Sequence, residues 1–206
     1  MRIVIAATDG QWKEWPGEDK KTEWIRVTDG NTFAENVDAD AFIDLIGNTV
    51  FLSYSELQKP VLINAVTNTL SAMDAPDNVI RINGWPGFLQ RPVWEVAGKI
   101  NEAAAKLFEH LDKKITVVAD EPGFISARII AMIINEAYFA IGDKVSTRDE
   151  IDIAMKLGTN YPFGPFEWAK AIGPANVLAL LQQLYKADKR YDPAALLLEE
   201  VTLNRS

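Results

Sequence analysis

The chain has no cysteine and a single histidine, His110, among its 206 residues. Without cysteine there is no disulfide, no thiolate nucleophile and no cysteine-ligated metal site, and a reducing cytoplasm is the expected setting. One imidazole rules out histidine-rich metal sites, so no metal is expected, and leaves one candidate for imidazole acid–base chemistry. Basic charge is also scarce: 21 Lys and Arg stand against 29 Asp and Glu, a net charge of −8. Nucleic acids and anionic membranes both call for clustered cations, so neither is expected as a partner. Long apolar runs are missing. The longest, residues 129–134, is far below the roughly 18 residues of a membrane span. The apolar part of "MRIVIAATDG" is too short for a secretory signal, and nothing in it directs export.

What is present points to two parts. A chain of this length fits one large domain or two small ones, and it buries roughly 70% of its unfolded surface. Up to Asp120 short β-rich runs alternate with helical or loop segments: "RIVIAA", "TEWIRV", "ADAFIDLIG", "PVLINAV", "NVIRING" and, after the helical "EVAGKINEAAAKLFEHLDK", "KITVVAD". Alternation of this kind predicts a parallel sheet with crossover connections. Several runs are apolar at consecutive positions, as expected of strands covered on both faces. Beyond the turn "EPGF" the chain reads as helices: "ISARIIAMIINEAYFAIGD", apolar around most of its circumference; "STRDEIDIAMKLG", opened by a Thr147/Glu150 capping box and closed by Gly158; and "PANVLALLQQLYKAD". The expected fold is an α/β parallel-sheet domain over residues 1–120 followed by an all-α domain over 121–206.

Within residues 120–173, "D-x-PGFI-x-x-R", "NEA", "IDIAMKLG" and "P-x-GPFE" follow one another in the order and spacing of the C-terminal domain of the 3-hydroxyacyl-CoA dehydrogenases, which this stretch closely resembles. The resemblance implies a Rossmann-like first domain binding NAD, an acyl-CoA substrate and a homodimer formed through the helical domain. It also gives a reading of the first half. "DADAFIDLIGN" resembles the family's acidic fourth-strand segment, "PVLINAV" the strand ending in its Asn-Thr-Ser signature, and "RINGWPGFLQRPVWEVAG" the segment that begins with the catalytic His-Phe-Phe-Asn-Pro and ends with a glutamate.

The resemblance assigns Glu95 the role of the glutamate that orients the catalytic base, and Asn83, twelve residues earlier, the position of the base itself. An asparagine takes no proton near neutral pH, and loss of a positioned base forfeits about 100- to 10,000-fold in rate, or roughly 3 to 5 kcal/mol of barrier. Asn64 and Arg128 are retained as substrate-binding candidates, while Ala65, Val66 and Ala127 replace polar anchors, and the second acidic position of the fourth-strand segment is Asn48. A dinucleotide fingerprint places three glycines between the first strand and its helix. Here "TDGQWKEWPGEDKKTEW" offers Gly10 and Gly17, and the phosphate-binding helix is expected to be missing. Asp29, after the second strand, stands where such folds carry an acidic ribose partner, although a solvated turn explains it equally well.

His110, at the C-terminal end of a helix, is expected to face water. "YPFGPFEW" is expected to pack the helical domain, with Gly164 allowing close approach of backbone. Trp12, Trp15, Trp24, Trp85 and Trp94 crowd the first half; they either fill the space of a dinucleotide or form a partner-binding surface. Two functions stay open: a non-catalytic homologue that keeps acyl-CoA or partner binding, and an active but diverged NAD-dependent 3-hydroxyacyl-CoA dehydrogenase.

Overall fold

The computed structural model describes residues 1–15, 21–47 and 54–203. The chain divides into two compact units, Met1–Phe124 and Ile125–Ser206. Asn48, Pro16 and Gly17 lie outside the described residues.

The first unit is a seven-stranded sheet of β1 (Arg2–Ala6), β2 (Glu23–Val27), β3 (Ala41–Asp44), β4 (Val61–Asn64), β5 (Val79–Ile82), β6 (Val93–Ala97) and β7 (Lys114–Val117), in the order β2-β1-β3-β4-β5-β6-β7. The five strands from β2 to β5 run parallel. The helices α1 (Asp9–Glu14) and α2 (Glu102–His110) join β1 to β2 and β6 to β7, while 3-10 turns at Gly30–Glu35 and Ser55–Leu57 lie between β2 and β3 and between β3 and β4.

Each face of the sheet has its own apolar layer, which is why the central strands carry no polar alternation. One layer gathers Ile3, Ile5, Ile43, Leu62, Ile80 and Ile82 with Trp15, Trp94, Leu107 and Phe108. The other gathers Val4, Phe33, Phe42, Tyr54, Val61 and Ile63. Trp15 meets Trp24 and Trp94 edge-on at 5.5 and 5.9 Å between ring centroids. These rings are core, with Trp15 and Trp94 only 7% and 4% exposed.

Three local expectations are corrected. Residues 93–97, read as leading into a helix, form β6, which pairs antiparallel with β5; Trp94 and Val96 enter one layer while Val93 faces out, a period-2 pattern hidden inside a longer apolar stretch. The helix after β1, expected to be missing, is present as the six residues of α1, because Thr8 and Gln11 form a capping box. His110 is half-buried, with its Nε2 2.8 Å from Thr22 Oγ1. Thr22 immediately precedes β2, so this imidazole sits at the amino ends of the parallel strands, away from their carboxyl ends.

The second unit comprises α3 (Ser126–Gly142), α4 (Arg148–Thr159), α5 (Pro165–Ile172), α6 (Pro174–Tyr185) and α7 (Ala195–Leu203). The Thr147/Glu150 capping box opens α4, but the helix runs past Gly158 and Asn160 takes the left-handed stop at φ 56°. Gly164 fulfils its expectation: a Cβ there would lie 2.3 Å from Asp152 Oδ1. The Asp152 carboxylate, 8% exposed, accepts the amides of Phe166 and Glu167 at 2.8 and 3.1 Å and so caps α5. Asn135 joins α3 to the segment before α7, donating to Asp192 O and accepting from Ala194 N, both at 2.8 Å. No helix among the described residues is long and apolar enough to cross a membrane.

Candidate functional site

In an open parallel sheet ligands bind outside the carboxyl ends of the strands, at the crevice where the strand order reverses. Here the reversal lies between β1 and β3, since β1 is flanked by β2 on one side and β3 on the other. The crevice is bridged by protein. Gln11, reaching from α1, donates its Nε2 to Leu45 O at 2.6 Å while its Oε1 accepts the Thr8 amide at 3.0 Å. Arg26 of β2 donates Nε and Nη2 to Ala7 O at 3.2 and 3.0 Å, pairs with Asp9 at 2.6 Å and lies over the Trp12 ring. The guanidinium beside it holds the Asp9 carboxyl below its ordinary value.

A dinucleotide's pyrophosphate needs close backbone approach and an N-terminal helix end free of negative charge. Among the described residues the end of β1 presents Ala6, Ala7 and Thr8, then the carboxylates of Asp9 and Glu14, with its nearest cation already paired. Such a donor set does not fit the group. Asp29 is exposed and starts a turn, its carbonyl accepting the Thr32 amide at 3.3 Å.

Further along the same edge, Asn64 ends β4 with both halves of its amide engaged by backbone: Nδ2 donates to Leu45 O at 3.1 Å and Oδ1 accepts Gly84 N at 3.0 Å. A Cβ on Gly84 would come within 2.7 Å of the Asn64 side chain, and one on Gly47 within 2.9 Å of Asn64 O. These glycines let two loops close onto one asparagine.

"NGWPGFL", residues 83–89, then leaves β5. Trp85 O accepts the Phe88 amide at 3.0 Å around Pro86 and Gly87, and Gly87 stands at φ 81°; proline at the second position and a positive-φ glycine at the third are the requirements of a type II turn. Glu14 accepts the Gly87 amide at 2.9 Å and Lys113 donates to Leu89 O and Arg91 O. The turn is therefore pinned at both ends.

Asn83 and Glu95 lie at the antiparallel β5–β6 ladder. Arg81 pairs with Ala97 and Ile82 with Val96; Asn83 follows the last pair, and the same register carried one step on would set it opposite Glu95. An amide stands at position 83, and Glu95 is half-buried on β6. Asn83 is 7% exposed; its Oδ1 accepts the Trp85 amide at 3.2 Å, and its Nδ2 is buried without a hydrogen-bond partner among the described residues. Arg128 lies on α3 in the second unit, half-buried, next to a fully buried Ala127.

One residue of this region escaped the sequence reading. Arg81, 0% exposed, donates Nη1 to Asp120 at 2.6 Å, Nε to Ala65 O at 2.8 Å and Nη2 to Val66 O and Glu121 O, with the Phe124 ring 4.6 Å beyond. Asp120 in turn accepts the amides of Leu70 and Ser71. Burial alone would raise the Asp120 carboxyl, but the Leu70 amide, the Arg81 guanidinium and the Ser71 amide hold it below its ordinary value. Burial lowers Arg81 in spite of its partner. The signal was available: a lone charge inside "VIRI", a strand covered on both faces, requires a buried counter-charge.

The comparisons with known proteins agree with this architecture. Residues 123–206 match the family described as 3-hydroxyacyl-CoA dehydrogenase, C-terminal domain. A 3-hydroxyadipyl-CoA dehydrogenase of Escherichia coli is 41% identical over 44% of this chain, a match that covers 20% of its own length. Two 3-hydroxybutyryl-CoA dehydrogenases are each 30% identical: that of Bradyrhizobium diazoefficiens over 89% of this chain and 70% of its own, and that of Clostridioides difficile over 98% and 79%. The crystal structure of (S)-3-hydroxybutyryl-CoA dehydrogenase from Ralstonia eutropha superposes with a TM-score of 0.68 at 25% identity, covering 88% of this chain and 71% of that one. With a parallel-dominated sheet, a helical second unit and relatives matched over most of their length, the chain belongs to the 3-hydroxyacyl-CoA dehydrogenase family.

Proposed function

We propose that this chain is a member of the family that binds an acyl-CoA thioester without sustaining NAD-dependent turnover. The observation that carries the reading is Asn83, an amide incapable of taking a proton, which directly follows the last pair of the β5–β6 ladder. Two further features support it. The crevice at the end of β1 is bridged by Gln11 and lined by Asp9 and Glu14, a poor setting for a pyrophosphate. The polar anchors at 65, 66 and 127 are Ala, Val and Ala, so a substrate hydroxyl finds fewer partners there.

The chain's own residues then have limited roles. Asn64 braces the loop leaving β5, the Trp85–Phe88 turn shapes the mouth, and Glu95 is half-buried on β6. By the same reading Arg128 is a substrate-binding candidate, the second unit forms a homodimer, and the protein works in the cytoplasm. The placement of Glu95 favours one alternative, a diverged dehydrogenase in which Glu95 and a water transfer the proton.

The deciding experiment is NADH oxidation with acetoacetyl-CoA at high protein concentration, alongside tryptophan quenching by NADH and by the thioester. Saturable thioester binding with no turnover is expected. Turnover that disappears in Glu95→Gln would establish the alternative, and absence of both binding and turnover would leave a protein-interaction role.

A further inference from the structure

From the unpaired outer side of β2 we propose that two copies of this chain join their sheets edge to edge, β2 antiparallel to β2, about a two-fold axis at Ile25. A doubly wound sheet usually sets its third strand outside its second. Here β3 lies on the other side of β1, and among the described residues β2 is left as the end of the sheet.

The phase of the open backbone groups is fixed by the neighbour. Glu23 donates its amide to Met1 O at 2.9 Å and Val27 O accepts the Ala7 amide at 3.4 Å, so the odd-numbered residues of β2 bond to β1. Alternation turns the N–H and C=O of Trp24 and Arg26 outward, where they have no partner among the described residues. A closed two-fold contact presents one patch twice, so that residue i meets j and j meets i. Trp24 and Arg26 of one copy then exchange bonds with Arg26 and Trp24 of the second copy, and Ile25 meets Ile25 as the non-hydrogen-bonded pair on the axis.

The side chains suit the same register. Each Arg26 comes beside a Trp24 ring, a partner of the kind it already has in Trp12, and Glu23 faces Val27, so no like charges stand opposite each other. The common guards of an edge are few on this strand: β2 holds no proline or lysine, and the Arg26 charge is engaged by Asp9 at 2.6 Å.

The absence of cysteine makes the test direct: single-cysteine variants of the full chain are oxidised with copper-phenanthroline and the linked dimer is followed on non-reducing gels. Ile25→Cys is expected to link at least tenfold faster than Glu23→Cys. Paired residues of the non-hydrogen-bonded kind sit about 4.5 Å apart at Cα, within disulfide reach, whereas two copies of position 23 would lie about 13 Å apart along the strands. Chance collision favours the opposite order, since Glu23 is the more exposed. Arg26→Pro added to Ile25→Cys removes an outward N–H that an edge strand can spare, and is expected to slow linkage at least tenfold with the circular dichroism of the fold retained. Thr116→Cys, within β7 at the other end of the sheet, is expected to link no faster than Glu23→Cys. Equal rates at positions 23 and 25, linkage that survives Arg26→Pro, or faster linkage at position 116 overturns the inference and leaves the acyl-CoA reading untouched.

Discussion

Both units are held by polar side chains that grip backbone, but they use them differently. In the second unit Asp152, Gly164 and Asn135 lie within or beside the motifs that carry the family resemblance, and their bonds close helix ends. In the first unit the gripping residues, Gln11, Glu14, Asn64 and Arg81, surround the carboxyl edge of the sheet, where a ligand would be received. The contrast teaches that polar groups at the edge of a sheet can brace its loops as firmly as caps brace helices. Capping bonds in one unit are those of any helical domain; the bonds in the other gather at one edge of the sheet.

The sharpest way to break this contrast is Arg81→Met. It leaves Asp120 without this cation and takes the guanidinium from the carbonyls of Ala65, Val66 and Glu121, and about 3 to 5 kcal/mol of first-unit stability is expected to be lost. Urea unfolding followed by tryptophan fluorescence reads this, because Trp168 is the single tryptophan of the second unit. The same pair gives a pH signature. Since Asp120 is held below 3.8 in the folded chain, its contribution is complete above that pH and fades as pH falls through the lower folded value. Arg81→Met should flatten the acid limb of the stability curve.

The counterpart in the second unit is Gly164→Ala. Its Cβ would strike the Asp152 carboxylate and dislodge the cap of α5, a loss of about 3 kcal/mol visible in helical circular dichroism. Third comes Gly84→Ala, which presses on Asn64 and is expected to cost about 2 kcal/mol, with the change read by tryptophan fluorescence. The smallest effect is expected from Tyr138→Phe, about 1 kcal/mol, through the lost bond to Glu200 at 2.9 Å. Burial first, and then Glu200, push the Tyr138 phenol up from 10.0 to about 12, so its contribution is complete below pH 10 and drains away as pH rises toward 12. Phenylalanine should remove that alkaline loss. If first-unit and second-unit variants shift both probes alike, the two units do not unfold separately and the contrast fails.

Much of the fold was legible because its signals are local. The strands from β1 to β5 and β7 announce themselves as apolar runs, α3 and α6 as apolar helical stretches, and α4 as a capping box followed by a 3.6-residue period. What was hidden is of two kinds. β6 is defined by its pairing with β5, while the short α1 rests on a local two-way bond of Thr8 and Gln11 that no longer apolar period announces. Gly158 resembled a stop, yet Asn160 takes the left-handed conformation. At the site, the residue types at 83 and 95 could be named from the resemblance, but their placement at one ladder required the register. That Asn64 has both halves of its amide engaged while the buried Asn83 Nδ2 finds no acceptor among the described residues is a matter of which backbone atoms lie within reach, and no sequence pattern encodes it.

The reversal of direction between β5 and β6 has a consequence for how this family member can change. Trp94 and Val96 point into the layer that contains Trp15 and Phe108, and the parity of a strand then obliges Glu95 to look the other way. Sliding β6 by a single residue would drive a carboxylate among tryptophans, so drift is blocked at the level of the backbone. Position 83 lies one step beyond the last pair of the ladder, so whatever residue stands there is governed by the same parity that turns Glu95 out of the layer.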